Sequence, residues 1–515
     1  MIHVKLLKLK KLSSTNELID FEIDSFKIDI YPQSIYDYDG LRLFIGKEKS
    51  EKNLFVISDN DSEVFQKFSG EFVAESTKEK FIKKCPLNFR NARVIQELFE
   101  FSNPVLIGLS NSFGFGDRLG LANPAHLRSL AGSEFKPILA QQSIREMQRT
   151  QRKPEDVMSA AVWAALQEGY EAGFGSDADH LKTTEDIDLM ISNGFTMFTF
   201  DPGDYVINEA DSMTENQLLE KIIELNWQIF NDSYESVLKR YAGVRFEIGD
   251  DFVLKPSEAE INRALVKYGE AVIHISNLYN HLIDNYSHLP FEVEISVDET
   301  ESVTTPFEHF FIASELNRLG VKLVSLAPRF IGDFEKGIDY KGDLEVFKKE
   351  YLKHVQIAEY FGAYKISIHS GSDKFGVYNA IGSLHRGFTH VKTAGTSYLE
   401  ALKVVASTQP DLFREILKFS RDIFDTEKKT YHVSASLDNV PEPDNLTNQE
   451  LVDLFNQNDA RQVLHVTFGK VLTTKKNDNE FLFRTKILKC LMDNEELHYN
   501  YIYTHFKNHL DPFKQ

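Results

Sequence analysis

From Pro104 onward, strand-like and helix-like segments alternate along the chain, and this alternation limits the folds that are open to it. Helical patterns separate most of the strand-like runs, and two of these patterns end in glycine, as helices often do. Eight short runs rich in β-branched and aromatic residues span 104–110, 135–143, 169–179, 195–202, 291–299, 321–329, 364–370 and 388–393. Strands that alternate with helices pair in parallel, and eight such repeats predict a closed (β/α)8 barrel of the TIM type. A doubly wound open sheet is the alternative.

The segments around and within this repeat predict further units. Residues 1–100 alternate short apolar runs with turn signals, which indicates a β-rich N-terminal extension. Residues 101–410 form the predicted catalytic barrel, and about 205–290 form a helical insertion of two long amphipathic helices. We expect the insertion to cap the barrel or to mediate a homo-oligomer contact. Residues 411–515 are predicted to be mostly helical, with a strand-like piece at 464–469, and to pack on the barrel.

The composition argues against several classes of function. The 515 residues carry a net charge of −20, and nucleic acids are bound through clustered Lys and Arg, so no nucleic-acid partner is expected. No run approaches the roughly 18 apolar residues of a membrane span, and lysines interrupt the apolar residues of the N-terminus, unlike a secretion signal. Cys85 and Cys490 cannot form a disulfide framework, which fits a reducing cytosol. We therefore predict a soluble, cytoplasmic protein with no membrane partner.

The segment GFGSDADHLKT, residues 173–183, is too polar to serve mainly as core. In an extended strand, Asp177 and Asp179 share one face, and His180 takes the other face until the strand ends. A carboxylate beside an imidazole at a strand end suits a metal site or an acid/base pair. This segment is therefore the first candidate for the functional site.

Polar side chains also gather at the predicted carboxyl ends of other strands, where active sites of this fold are built. The fifth run carries an acidic and polar face opposite an apolar one, and the apolar face must meet the helices. The acids, Glu292, Glu294 and Asp298, therefore point into the barrel. By the same alternation His369 points inward on the seventh run, and His390 and Lys392 share one face of the eighth.

Three histidines, His180, His369 and His390, lie at predicted strand ends on one rim. Together with an inward carboxylate they offer the ligands that suit Zn, Mn, Co, Ni or Fe, so we predict a site for a divalent metal cation. His309, which opens a helix after the fifth run, is the alternative third ligand. An ordinary structural role is the competing interpretation for any single histidine.

Asp179 and Glu294 lie near the rim and form the candidate acid/base pair, with one carboxyl protonated and the other ionised. Glu292 lies deeper and is expected to pair with an inward lysine such as Lys365. Asp298, Glu299 and Asp373 are second choices. The predicted substrate contacts are Arg118, Gln141, Lys182, Arg329, Lys374 and Lys392. Arginine suits a carboxylate through paired N–H donors, and a surface ion pair is the alternative for each cation.

The segment GFGDRLG only superficially resembles a glycine-rich phosphate loop. Gly120 comes one place too late for the GxGxxG pattern, and the acidic Asp117 would repel a phosphate. The sequence therefore predicts no nucleotide site.

Long motifs along residues 100–515 resemble the tagaturonate epimerase family. They include GFGDRLGLANPAH, AQQSIREMQRT, GFGSDADHLKT, FTMFTFDPGDYV, FEVEISVDET, KISIHSGSDKF, HVKTAGTSYLEAL and LHVTFG. The resemblance implies a metal-dependent interconversion of D-tagaturonate and D-fructuronate in hexuronate breakdown. It also implies Asp179 and Glu294 as the acid/base pair, and His180, His369 and His390 as the metal ligands.

The chemistry of this reaction restricts its mechanism. The two ketouronates differ at a carbinol carbon that is one bond beyond the position next to the ketone, so simple enolisation cannot invert it. Retro-aldol cleavage followed by re-addition, or transient oxidation, would do so, and the lack of a nucleotide fingerprint favours the first. A metal-dependent ketose isomerase or aldolase would use the same rim residues. A non-catalytic sugar-acid-binding protein would need only the cationic contacts.

Overall fold

The first hundred residues contain the predicted β-rich extension. A computed structural model describes residues 9–11, 16–23, 26–73, 81–249, 251–477 and 480–514. The N-terminal elements are β1 (Ile19–Ile23), β2 (Phe26–Ile30), β3 (Tyr36–Tyr38), β4 (Leu41–Glu48), β5 (Glu51–Ser58), α1 (Glu63–Lys67), β6 (Glu71–Phe72), β7 (Phe81–Pro86) and α2 (Phe89–Leu98). The strands form an antiparallel sheet in the order β1-β2-β4-β5-β7-β6, with β3 beside β4. Leu43 and Val56 join the main core, whereas Phe44 and Phe55 form a cluster on the opposite face.

A closed barrel of eight parallel strands follows, which confirms the predicted (β/α)8 fold and excludes the open sheet. The next strands along the chain are β8 (Ser112–Gly116), β9 (Lys136–Ser143), β10 (Gly175–Leu181), β11 (Met197–Phe200), a hairpin of β12 (Phe246–Gly249) and β13 (Phe252–Leu254), β14 (Glu292–Val297), β15 (Ser325–Pro328), β16 (Lys365–Ile368) and β17 (Thr389–Thr393). The barrel order is β10-β11-β14-β15-β16-β17-β8-β9. Because β-strand side chains alternate, every second residue of these strands points inside.

Helices connect the barrel strands and cover the outside of the barrel. They are α3 (Asn123–Ser129), α4 (Ile144–Thr150), α5 (Pro154–Gln167), α6 (Thr184–Ser192), α7 (Glu215–Glu224), α8 (Trp227–Phe230), α9 (Tyr234–Tyr241), α10 (Glu258–Tyr286), α11 (Pro306–Arg318), α12 (Leu344–Tyr360), α13 (Phe375–Gly382) and α14 (Thr396–Thr408). Several begin at side-chain caps that the sequence provides. The Thr183 hydroxyl accepts from the Asp186 N–H at the start of α6, and Thr305 and Glu308 cap α11 in the same way.

The first strand of the barrel was placed wrongly by sequence. Residues 104–110 do not form a strand; the N–H groups of Ile107 and Gly108 instead donate to the Glu292 carboxylate at 3.1 and 2.9 Å. These two contacts also replace the expected pairing of Glu292 with Lys365. The true first strand contains two glycines, which strands usually disfavour. A Cβ on Gly116 would lie 2.4 Å from the Thr393 carbonyl oxygen, so the close approach of β8 and β17 requires glycine.

The insertion departs in part from the two long helices that were predicted. The segment expected to form the first of them is broken into α7, α8 and α9, with an extended residue at Leu225 and a left-handed residue at Asn231 (φ 53°). The second forms as the single helix α10, which packs against α11 and thus occupies the position of a barrel helix. The amphipathic pattern continued across the breaks because all three short helices bury one face.

The C-terminal residues are mostly helical, as predicted. Their elements are α15 (Pro410–Glu427), α16 (Asn448–Asp453), α17 (Asn458–Val466), α18 (Phe468–Thr473), β18 (Lys475–Asn477), β19 (Glu480–Phe481), α19 (Arg484–Asp493) and α20 (Glu495–Leu510). The predicted strand at 464–469 is wrong, since these residues end α17 and begin α18. Within the described ranges, no helix is long and apolar enough to cross a membrane. The domain boundaries at residues 100 and 410 stay predictions.

Two buried histidines beside the barrel give a prediction about acid stability. His309 Nδ1 lies 2.8 Å from His354 Nδ1, and His309 Nε2 lies 2.7 Å from the Tyr364 hydroxyl. Burial lowers the pKa of His354 to about 3 and holds that of His309 well below its usual value. Both rings are therefore neutral in the folded state but gain protons on unfolding below pH ~6.5. The two neutral rings therefore add to the free energy of unfolding above pH ~6.5, and this contribution is lost as the pH falls below that value.

Replacing one of these rings is expected to weaken the pH dependence. Each such histidine contributes a slope of about 1.4 kcal/mol per pH unit below pH ~6.5, so His354→Gln should lower the slope by about that amount. Urea unfolding of both proteins between pH 8 and 5 measures it. The exposed His385→Gln serves as the control and should leave the slope unchanged. An unchanged slope in His354→Gln would contradict the assignment of a neutral ring.

Candidate active site

Lys392 lies at the centre of a cluster of carboxylates inside the barrel. Its Nζ lies 2.7 Å from Asp177 Oδ2, 2.8 Å from Asp179 Oδ1 and 2.8 Å from Glu294 Oε1. It also donates to the Thr199 hydroxyl at 2.6 Å. These residues come from β10, β11, β14 and β17, all of which turn them inward by alternation. The lysine therefore joins three acids from two other strands, and a threonine from a third, through one ammonium group.

The ionisation of these acids follows from their distance to this cation. Burial would raise the pKa of both Asp179 and Glu294, but Lys392 and neighbouring histidines hold each well below its usual value. Burial raises the pKa of Asp177 to about 6 despite Lys392. The structure thus differs from the expected split between Asp179 and Glu294, because both are ionised. The raised carboxyl pKa belongs to Asp177, which lies deeper.

Two imidazoles and a carboxylate lie beside this cluster. Asp298 Oδ1 is 3.0 Å from His369 Nδ1 and 3.8 Å from His180 Nε2. His369 Nε2 contacts Glu294 Oε1 at 2.7 Å, and His180 Nδ1 contacts Asp179 Oδ1 at 2.8 Å. Burial alone would lower the pKa of both histidines, but the acids raise that of His369 to about 9 and that of His180 well above its usual value. The three acids thus stabilise a positive charge on each of the two imidazoles.

The backbone at His180 explains how this side chain reaches the group. His180 has a φ of 55°, in the left-handed region that histidine rarely adopts, and the register of β10 with β11 shifts at this point. This break in the alternation directs the imidazole toward His369, with the ring centroids 5.1 Å apart. Residues held in such conformations concentrate at functional sites.

The donor set fits a divalent metal ion. His180, Asp298 and His369 each offer one ligand atom within 4.8 Å of the others, and two histidines with one carboxylate suit Zn or Fe(II). His180 Nε2 is buried without a hydrogen-bond partner among the described residues. His180 with Asp201 and Glu299 forms a second group that could hold an ion, at the same rim.

A third such group lies elsewhere and is already satisfied internally. Asp373, His505 and His509 come together beside α20, but Arg461 lies 2.8 Å from Asp373 Oδ2. His509 Nε2 accepts from the Asp373 N–H at 3.0 Å, so its lone pair is in use. A neighbouring cation and an occupied imidazole make this group a poor metal site.

Two connected chambers open onto the cluster at the carboxyl ends of the strands. The inner chamber has a volume of about 60 Å³, and the outer one has a volume of about 260 Å³. The inner walls include Arg118, Gln141, Asp179, His180 and Lys392, and the outer walls include Arg329, Phe330, Phe334 and His432. Both chambers are lined by Arg145, Asp298, Glu299, Lys336, His369, Ser370 and Tyr431. The polar lining suits a small hydroxylated anion more than an apolar ligand.

Known proteins match this chain over most of its length. The tagaturonate epimerase family model matches residues 31–513. The chain belongs to the tagaturonate epimerase family. The tagaturonate/fructuronate epimerase of Thermotoga maritima is 42% identical over 483 residues, which are 94% of this chain and 96% of that protein. Crystal structures of the fructuronate-tagaturonate epimerase of Cohnella laeviribosi, native and with glycerol, are 37% identical, with a TM-score of 0.87 over 94% of this chain and 96% of theirs.

Membership of the tagaturonate epimerase family makes this protein an isomerase of the carbohydrate epimerase type. It also confirms the resemblance on which the sequence-based interpretation depends.

In this tagaturonate epimerase family member, His390 lies away from the histidine pair. Its Nδ1 lies 3.0 Å from the Ser112 hydroxyl, and burial lowers its pKa to about 3. His390 comes two residues before Lys392 on β17, about 6.6 Å back along the strand, and therefore lies deeper in the barrel. Asp298, a second choice by sequence, lies beside the pair instead. His309 is engaged with His354 outside the barrel strands.

The predicted substrate contacts divide into two groups. Arg118, Gln141 and Lys392 line the inner chamber, and Arg329 lines the outer one. The other two, Lys374 and Lys182, lie outside these linings. Lys374 Nζ donates to the backbone carbonyls of Glu335 and Ser372 at 2.8 and 3.0 Å, and also to that of Ile338. Lys182 pairs with Asp204 at 3.0 Å. Their backbone positions near the rim did not determine where their side chains point.

Several residues of the site were missed by sequence. Asp177 shares a face with Asp179, a signal that was available and not used. Lys336, Tyr431 and His465 line the chambers from loops and from the C-terminal helices. The motif LHVTFG contains His465, but its strand-like pattern did not indicate a position in the site. In the segment GFGDRLG, the Asp117 carboxylate accepts from the N–H groups of Leu119, Gly120 and Ala122 at 2.7–3.1 Å.

Proposed function

We propose that this protein interconverts D-tagaturonate and D-fructuronate in the cytosol, with a divalent metal cation. Family membership and the name of the Thermotoga relative support the substrate. The observation that carries the proposal is the meeting of His180, His369 and Asp298 with two ionised acids around Lys392, at the carboxyl ends of the barrel strands. The free, buried cysteines, Cys85 and Cys490, support a reducing compartment.

His180, His369 and Asp298 would hold the cation in this proposal, in place of the predicted set with His390. Their donor set is two imidazoles and one carboxylate, and the acids around them already stabilise positive charge there. When bound, a divalent cation would supply Lewis-acid polarisation of the substrate oxygens. His369 would be oriented by its contact with Glu294, as ligating histidines commonly are by carboxylates.

Asp179 and Glu294 would move the proton of the reacting hydroxyl. One ionised carboxylate accepts this proton as the adjacent C–C bond breaks, which gives an aldehyde and an enolate. After the aldehyde has turned its other face to the enolate, the bond reforms, and the second carboxyl, which has received the first proton through Lys392, gives it to the new alkoxide. Lys392 lies 2.8 Å from both acids, so it can pass a proton from one to the other and keep both ionised between turnovers.

The test is the incubation of metal-loaded protein with D-tagaturonate, followed by NMR. We expect fructuronate to appear and the mixture to reach the same composition from either ketouronate. An aldose product would favour a ketose isomerase, and accumulated three-carbon fragments would favour an aldolase. Binding without any conversion would favour a sugar-acid-binding protein.

Removal of the metal is expected to abolish the activity. After dialysis against a chelator, activity should fall by at least about 100-fold and return when a divalent cation is added back. His369→Ala should lower both bound metal per chain and activity, whereas the exposed His288→Ala should change neither. Metal content by mass spectrometry and the epimerisation rate measure the two effects. Full activity in metal-free protein would contradict the proposed cation.

A further inference from the structure

Arg118 lines the inner chamber with unused hydrogen-bonding capacity. Its side chain is only 2% exposed, yet Nη1 has no hydrogen-bond partner within the described part of the chain. A buried guanidinium normally uses all its N–H donors, because each unsatisfied donor costs free energy. An unpartnered donor in the wall of a cavity therefore indicates a ligand that accepts hydrogen bonds.

Neighbouring side chains fix the plane of this guanidinium. Glu146 Oε1 accepts from Nε at 3.0 Å and from Nη2 at 2.6 Å, which occupies the side edge of the group. The ring of Phe468 lies 3.5 Å from Cζ and covers one face. On the end edge, Nη1 has no partner among the described residues and Nη2 has only His465 Nε2, 3.5 Å away, so this edge can receive a planar acceptor with two oxygens.

Two of the other cations around the chambers are paired with carboxylates, and the remaining two differ from Arg118 in contacts or position. Lys392 is surrounded by three carboxylates, and Arg145 pairs with Glu299 at 2.9 Å. Lys336 donates to the Ser370 hydroxyl at 2.6 Å. Arg329 lies in the wider outer chamber and is partly exposed. Arg118 is thus the deeply buried cation with an open edge in the chamber that also holds His180 and His369.

We propose that Arg118 binds the carboxylate of the substrate and so distinguishes ketouronates from neutral ketoses. This assignment rests on the proposed function, because it takes the substrate to be a sugar acid whose other end reacts at Asp179 and Glu294. A carboxylate accepts two parallel N–H bonds from the end edge of arginine, whereas the primary alcohol of a neutral ketose offers one oxygen and no charge.

The C-terminal helices complete this subsite. Phe468 begins α18, and His465, near the end of α17, places Nε2 3.5 Å from Arg118 Nη2. The His465 ring packs so closely on Gly395 that a Cβ there would lie 1.9 Å from Cε1, and burial together with Arg118 holds the pKa of His465 well below its usual value. A neutral imidazole adds no competing charge. The motif LHVTFG thereby contributes to substrate selection although it forms no strand.

The test compares binding of a sugar acid with binding of its neutral counterpart by calorimetry on the metal-loaded protein. The probes are the equilibrium mixture of tagaturonate and fructuronate, and D-tagatose. In Arg118→Gln the dissociation constant of the ketouronates should rise about 10- to 100-fold, as expected for a lost charge-assisted pair, while that of D-tagatose should change less than about twofold. The surface variant Arg386→Gln, which loses an exposed pair with Glu359, is the matched control and should change neither.

Two further variants, Phe468→Leu and Arg329→Gln, separate a role of Arg118 in binding from a loss of folding or from a role of Arg329. If Arg118→Gln does not fold, Phe468→Leu, which loosens the guanidinium, should weaken ketouronate binding selectively by several-fold. The proposal is overturned if both ligands weaken together, if neither weakens, or if selectivity is lost in Arg329→Gln and retained in Arg118→Gln. Calorimetry needs no turnover, so a wild-type protein that binds but does not convert ketouronates would contradict the proposed function and leave the subsite supported.

Discussion

Glu294→Gln is expected to lower kcat for ketouronate interconversion by about 10²- to 10⁴-fold, the usual contribution of a positioned acid or base. The glutamine keeps the shape of the side chain, but it can neither accept the hydroxyl proton nor exchange one with Lys392, which lies 2.8 Å from Glu294 Oε1. KM should change little, because the carboxylate acts mainly in the proton-transfer steps. Steady-state kinetics in both directions measure these effects.

Glu292→Gln provides the matched control for this change. Glu292 lies on the same strand, two residues earlier, and also points inward, but its carboxylate accepts from backbone N–H groups at the other end of the barrel. We expect kcat to stay within about twofold and the melting temperature to fall slightly. A comparable loss of kcat in both variants would indicate a structural effect, and an active Glu294→Gln would rule out its role in proton transfer.

The alternation of side chains made the inside of the barrel predictable. The sequence predicts that Glu294 and His369 point inward, because their strands carry an apolar face that must meet the helices, and the structure bears this out. Whether a side chain points into or out of the barrel depends only on the local alternation along its strand, which has a period of two residues. The depth of a side chain in the barrel depends on how the strands align with one another. His390 and Lys392 share a face but lie in different layers, and only Lys392 reaches the acids.

The features that sequence missed depend on tertiary contacts. The glycines of β8 suggested a loop, although Gly116 permits the close approach of two backbones. Lys374 lies near the rim, yet its ammonium group turns back to backbone carbonyls in a way that no spacing reveals. His465 reaches the inner chamber from a helix more than 70 residues after the last barrel strand. Such contacts join segments whose sequence patterns are independent.

Lys392→Met is expected to destabilise the protein by about 3–5 kcal/mol and to abolish activity, because it leaves three buried carboxylates without their shared cation. The methionine fills most of the volume of the lysine stem, so loss of packing contributes little. Lys365→Met is the matched control. Lys365 is also fully buried on the neighbouring strand, but its Nζ donates to the Ser112 hydroxyl at 3.2 Å and burial lowers its pKa.

The two lysines should therefore respond in opposite ways to the same substitution. Removing Lys365 relieves the cost of burying an ammonium group, so its variant should lose less than about 1 kcal/mol. In Lys392→Met the pKa of Asp177 should rise further, and those of Asp179 and Glu294 should rise above their values in the unfolded chain. The folded variant then binds extra protons, so its loss of stability relative to the wild type should shrink as the pH falls from 8 to 5. Urea unfolding of both variants over this range measures the difference. Equal losses for the two lysines, or a deficit in Lys392→Met that does not change with pH, would show that the charge of Lys392 does not hold this cluster together.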